Sequence, residues 1–118
     1  MGNVDRVREI TNSMCDKDFD LDLVEKHFTD DFQHVANGET NDKAGYLKRG
    51  EEYRGRFESI DRPEFDELFE TEDGRVVVAY TLNLHPKDGG DQKMAVMAIW
   101  TLDGDGNVTA LREVDAVA

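Results

Sequence analysis

Apolar residues recur every third or fourth position over residues 3–14, at Val4, Val7, Ile10 and Met14, which predicts an amphipathic helix with one buried stripe. A second helix is expected behind Asp20 as its cap, with Leu23, Val24, His27 and Phe28 on one face, leading through Thr29-Asp30-Asp31 into Phe32. Residues 32–36 read as a brief strand that stops at the turn pair Asn37-Gly38. Thr40 or Asn41 then caps a third helix to about residue 57, carrying Ala44, Tyr46, Leu47, Tyr53 and Phe57. Inside it Gly45, Gly50 and Gly55 each cost about 1 kcal/mol relative to alanine. Close packing on a sheet would account for them, as would frayed helix ends.

After Pro63 the period changes. Residues 64–71, 75–84, 92–102 and 107–117 are apolar-rich or alternating runs, separated by Glu72-Asp73-Gly74, by 86–91 with Gly89-Gly90, and by Asp103-Gly104-Asp105-Gly106. Such separators tolerate positive φ and close hairpins, so this half is a long antiparallel meander. The fold class is therefore α+β, a single domain over 1–118 with three N-terminal helices covering one face of an antiparallel sheet of four to five strands. Val76 to Tyr80 and Met94 to Trp100 are apolar at both parities, whereas a strand covered on one side should alternate. The second face is then buried too, most economically by a homodimer through the outer sheet face.

Composition narrows the partners. With 27 acidic and 14 basic residues, net charge −13, the chain lacks the clustered cations that a nucleic acid or an anionic membrane requires. A single cysteine, Cys15, forms no intramolecular disulfide, which suits a reducing compartment. No apolar run of the kind found in signal peptides or membrane spans is present, and Arg6 occupies the place where a myristoylation motif needs Ser or Thr. A complete, unprocessed cytoplasmic chain is the expectation.

The order helix, helix ending in Phe28-Thr29-Asp30-Asp31-Phe32, short strand, helix, then a meander closing in Ile99-Trp100-Thr101-Leu102-Asp103-Gly104-Asp105-Gly106-Asn107-Val108 resembles the nuclear-transport-factor-2-like superfamily. Within it the chain looks most like the SnoaL-like and ketosteroid-isomerase-like branch. The resemblance implies a cone-shaped, cystatin-like fold whose helices and curved sheet enclose an apolar pocket, and a homodimer joined through the outer sheet face. Steroid isomerases of this kind use a base aspartate and an oxyanion hole of tyrosine and protonated aspartic acid, a case well described in general terms. By motif those positions fall near Ala36 or Val35, Ile10 and Ala98, all apolar, so that mechanism is not expected.

Other polar residues remain. His34 shares parity with Phe32 and Ala36, and a histidine exchanges protons near neutrality. On the last strand Leu111, Glu113 and Asp115 share a face, and Val114-Asp115 resembles the late-strand aspartate that SnoaL-like cyclases use as acid/base. His34 and Asp115 are thus the candidate catalytic pair, with Phe28, Phe32, Tyr46, Tyr53, Trp100, Leu111 and Glu113 as candidate substrate-binding residues. Each has a plainer reading: His34 as a partly buried strand histidine, Asp115 as a solvated strand end, Glu113 paired with Arg112, and the aromatics as core. His27 reads as a core or rim histidine and His85 as exposed. No metal-ligand spacing occurs, and 103–107 departs from a calcium loop at Val108 and Val114, which leaves a hairpin turn. The expected function is binding of a small apolar molecule. A cofactor-independent acid/base isomerase, cyclase or dehydratase on a small apolar or cyclic carbonyl compound would follow; the alternative is a non-catalytic dimeric ligand-binding or protein-interaction module.

Overall fold

The computed structural model describes residues 2–15 and 21–118; the expected cap Asp20 and the side chain of Leu23 lie outside the described part. Helix α1 spans Asn3–Cys15 and buries Val7, Ile10, Thr11 and Cys15, one stripe at helical spacing. Its start is tied to the turn at Gly74 by Asn3 Nδ2 donating to Gly74 O at 3.0 Å. Helix α2 (Leu21–His27) ends one residue before expectation, and Phe28 opens strand β1 (Phe28–Ala36) instead of closing the helix. The reason is local: Lys43 Nζ donates to Glu25 O at 3.2 Å and Phe28 O at 3.0 Å, taking up carbonyls that a further turn would have used.

Asn37 (φ 49°) and Gly38 (φ 87°) form a two-residue turn between paired Ala36 and Glu39, so the chain returns as β2 (Glu39–Asp42). The sequence reading ended the strand at this turn and placed a helix cap at Thr40 or Asn41. Both lie in β2, and the cap of α3 (Lys43–Arg54) is Asp42, whose Oδ1 accepts from Gly45 N at 2.8 Å. The helix stops at Gly55, so Phe57 starts β3 (Phe57–Ile60), where its ring meets Tyr53 at 5.0 Å. The α3 glycines do not mark packing on the sheet. A Cβ at Gly45 would press on the capping Asp42 Oδ1 at 3.2 Å, and one at Gly50 would meet nothing; nothing in the structure explains Gly50.

Strands β4 (Phe65–Glu70), β5 (Val76–Pro86), β6 (Gln92–Leu102) and β7 (Val108–Val117) form the expected meander. β3 and β4 share one edge of β5, pairing with its two ends. The sheet runs β2-β1-β7-β6-β5-β3 with β4 also on β5, so it has seven strands rather than four to five. It is antiparallel except where β1 runs parallel to β7, and the third helix follows the β1–β2 hairpin rather than preceding the sheet. Two apolar clusters fill its concave side. One gathers Val7, Ile10, Val24, Phe28, Phe32, Tyr46, Trp100 and Leu111; the other joins Cys15, Phe57, Ile60 and Leu84. Among the described residues no helix is long and apolar enough to cross a membrane.

Candidate functional site

Between the two clusters lies a cavity of about 290 Å³, at the small end of the ~300–1,000 Å³ typical of ligand sites. Its wall is drawn from α1, β1, α3, β3, β5, β6 and β7. The β7 register positions its polar part. Ala36, Glu113 and Ala98 are cross-strand neighbours, so the two small side chains leave Glu113 room to turn inward. His34, one inward step before Ala36 on β1, is opposite Leu111, and its Nε2 hydrogen-bonds Glu113 Oε1 diagonally across the parallel pair. Both side chains are buried, 7% and 18% exposed, and the His34 ring meets Tyr46 edge-on at 4.6 Å. Ala36 and Ala98 thus flank the carboxylate that this chain carries.

Asp115 also lines the cavity, but the structure does not bring it to His34. Its Oδ1 accepts from Asn37 Nδ2 at 2.8 Å, and its backbone N–H donates to Asn37 Oδ1 at 3.1 Å. Tyr46, Tyr53, Trp100 and Leu111 line the wall with His34 and Glu113. Phe28 and Phe32 do not: they pack behind it, with ring centroids 5.6 Å and 5.2 Å from Tyr46. His27 is buried and takes a hydrogen bond from Arg6 Nη1 at its Nε2, 2.9 Å away. His85 is not fully exposed, being held between Asp61 and Asp91, each at 3.0 Å. The 103–107 segment is a turn in which Asp103 Oδ1 accepts from the backbone of Asp105 and Asn107.

Three phenols face the same space. Burial raises the Tyr46 hydroxyl well above its ordinary range, and the Glu113 charge adds to this. Tyr80 is raised by burial and then by Glu113, and Tyr53 by burial and then by Asp115. All three are O–H donors at neutral pH. Tyr46 and Tyr53 have only thioether acceptors, Met14 Sδ at 3.7 Å and Met94 Sδ at 3.6 Å. Among the described residues, Thr11 Oγ1, His34 Nδ1 and Trp100 Nε1 are buried without a hydrogen-bond partner, and all three residues line the cavity. Buried orphans of this kind each cost about 1–3 kcal/mol, so their gathering at one void is informative.

Sequence reasoning passed over Thr11, Tyr80 and the arginines at the end of α3. Two of these had a signal: Thr11 lies on the Val7–Ile10 stripe, and Tyr80 has the parity of the fully buried Val76 and Val78.

Compared by sequence, the chain matches no family model and no curated protein. Its structure is similar to several solved ones. An NTF2-like protein of unknown function from Exiguobacterium sp. 255-15 superposes with TM-score 0.76 at 19% identity, covering 97% of this chain and 98% of that one. IdmH, a candidate polyketide cyclase from Streptomyces antibioticus, gives 0.81 at 13% identity over 98% and 92%. A candidate SnoaL-like polyketide cyclase from Jannaschia sp. CCS1 gives 0.79 at 16% identity over 96% and 84%. At such identities the likeness is one of fold: this chain has the same α+β, NTF2-like fold as these structures.

Proposed function

We propose that the chain binds a small carbonyl compound in this cavity and moves a proton at a carbon next to the carbonyl. The observation that carries the reading is the buried His34–Glu113 pair at the cavity wall. A carboxylate that accepts from Nε2–H fixes the imidazole tautomer and leaves Nδ1 with its lone pair, and Nδ1 is the ring nitrogen without a partner. In the proposed step Nδ1 takes the carbon-bound proton, the electron pair passes to the carbonyl oxygen, and the enolate so formed accepts hydrogen bonds from the Tyr46 and Tyr80 hydroxyls. Returning the proton to another carbon of the enolate system gives an isomerase. Attack of the enolate carbon on a second carbonyl of the same molecule, whose oxygen takes the proton back from His34, gives a cyclase. Expulsion of a β-hydroxyl, which takes that proton and leaves as water, gives a dehydratase. Several SnoaL-like structures of this fold are described as candidate polyketide cyclases, which agrees with this class of reaction.

The test is hydrogen–deuterium exchange at the carbons beside the carbonyl of cyclohexanone, followed by NMR in D2O. Wild-type protein should accelerate it, and His34→Gln and Glu113→Gln should each remove roughly 100-fold or more of that acceleration. Exchange equal in all three proteins would sink the assignment.

A second feature favours a dimer. On the outer sheet face Phe69, Met97 and Val114 are exposed, at 47%, 59% and 57%. Met97 is the cross-strand neighbour of Val114 and of Ala79. We propose that a second copy covers this face, the same patch meeting itself about a twofold axis. The chain would still be a dimeric binding module if the proton chemistry failed.

A further inference from the structure

The exposed lining residues of the cavity mark its mouth, and they are charged. Arg49 and Arg56 are exposed and Arg54 half-buried, and all three line the cavity, from the last turns of α3 and the turn that follows. A helix C-terminus attracts cations, which explains arginines there but not their reaching one opening. Arg49 is already paired with Glu39 at 2.9 Å, and Arg54 Nη1 donates to Phe57 O at 3.4 Å. Arg56 makes no ion pair among the described residues, and it lines the cavity together with Tyr53. Three acids share the lining. Glu113 is taken by His34 and Asp115 by Asn37, while exposed Glu52 makes no ion pair among the described residues.

Hydrogen-bonding capacity points the same way. Trp100 Nε1–H can only donate and has no acceptor, and the tyrosine hydroxyls have sulfur acceptors at best. Apart from His34 Nδ1, which the proposed step assigns to the substrate's proton, the unpartnered groups of the inner wall are mainly donors, and at the mouth three arginines stand with one unpaired acid, Glu52. We infer that the cavity takes a small oxo acid, its carbonyl among the buried donors and its carboxylate at a rim formed by Arg49 and Arg56. The inference rests on the proposed binding of a carbonyl compound and specifies the class of that compound. It also runs against the field of the whole molecule. A chain of net charge −13 repels an anion at long range, so general electrostatics favours a neutral ester over the acid, and only local arginine contact reverses that order.

The sign of that preference is the test. Levulinate and phenylpyruvate are each titrated against their methyl esters, with occupancy read from the indole N–H NMR resonance of Trp100, the chain's single tryptophan. Each acid should bind about fivefold or more tightly than its ester, the span that two exposed charge contacts supply. In the Arg49→Gln, Arg56→Gln double variant the acid should fall to the level of the ester or below it, while ester binding stays the same. Both positions are exposed, so the variant should fold. Esters that bind as well as the acids, or an acid preference that survives the double variant, overturn the rim and leave the carbonyl site standing. An indole resonance unmoved by either pair overturns both.

Discussion

The two faces of β6 and β7 break the same rule in opposite directions. On the inner face, a rung of Ala36, Glu113, Ala98 and Val78 places a carboxylate among alkyl groups. On the outer face, the rung of Val114, Met97 and Ala79, beside that of Ile99, Val77 and Phe69, places alkyl groups toward water. A buried polar residue and an exposed apolar patch are the two departures from ordinary burial that carry information. They point to different partners. The inner one costs folding free energy unless Glu113 is paired, and its pairing with His34 leaves His34 Nδ1 without a partner beside a cavity. The outer one costs nothing in the pairing of the sheet and is relieved only by a second surface. In the proposed reading, binding belongs to one face and assembly to the other.

The largest effect expected from testing this contrast lies inside. His34→Leu or Glu113→Leu alone should lower stability by about 3 kcal/mol, because each strands a buried polar partner. The double variant, which replaces the pair by two packed alkyl groups, should return to within about 1 kcal/mol of the wild type or exceed it, while the proton exchange stays lost. Urea denaturation of the four proteins measures this. Single variants as stable as the wild type would mean that water already satisfies the pair, and the inner face would lose its distinction.

On the outer face the expected change is in association. Met97→Glu with Val114→Glu sets like charges on adjacent strands and, in a symmetric dimer, against their own copies. Dissociation should rise by roughly 100-fold or more, since like charges across an interface cost several kcal/mol. Monomer stability should shift by no more than about 1 kcal/mol, both side chains being more than half exposed. Sedimentation velocity decides it: a wild-type chain that runs as a monomer at micromolar concentration removes the outer partner altogether.

How far the sequence showed these faces depends on which pattern carried them. Helix α1 and strand β6 were legible because Val4, Val7 and Ile10 keep a helical period and 94–100 is apolar throughout; β6 has the expected bounds. Strand β2 was not, since Glu39-Thr40-Asn41-Asp42 has no apolar side and exists through backbone pairing to β1. At 57–60 the buried phenylalanine fitted a helix as well as a strand. For the site, the inward parity of His34, Glu113 and Asp115 was readable, and their partners were not. The choice of Glu113 over Asp115 follows from the parallel pairing of β1 with β7, a contact between residues about 80 positions apart that no local pattern encodes. Asp115 falls one inward step further along β7, level with the Asn37 turn, and is held there.

The smallest expected effect separates a partly exposed histidine from a buried one by pH. His85, held at the surface, is raised by hydrogen bonds to Asp91 and then Asp61. A group raised in the fold gives stability that is fully present below its unfolded value of about 6.5 and is lost as pH climbs through the raised value. Buried His27 is lowered, by burial first and then by the Arg6 and Lys26 charges, with Glu9 opposing. Its neutral form suits the fold, so its contribution is present above about 6.5 and is lost as pH falls through the lowered value. Melting temperature followed across this range should therefore decline on both sides. His85→Gln should flatten only the alkaline decline and His27→Gln only the acid one. If His85→Gln kept the alkaline decline, the carboxylates around that ring would be no more than solvated neighbours, and position on the molecule would not be what sets the sign.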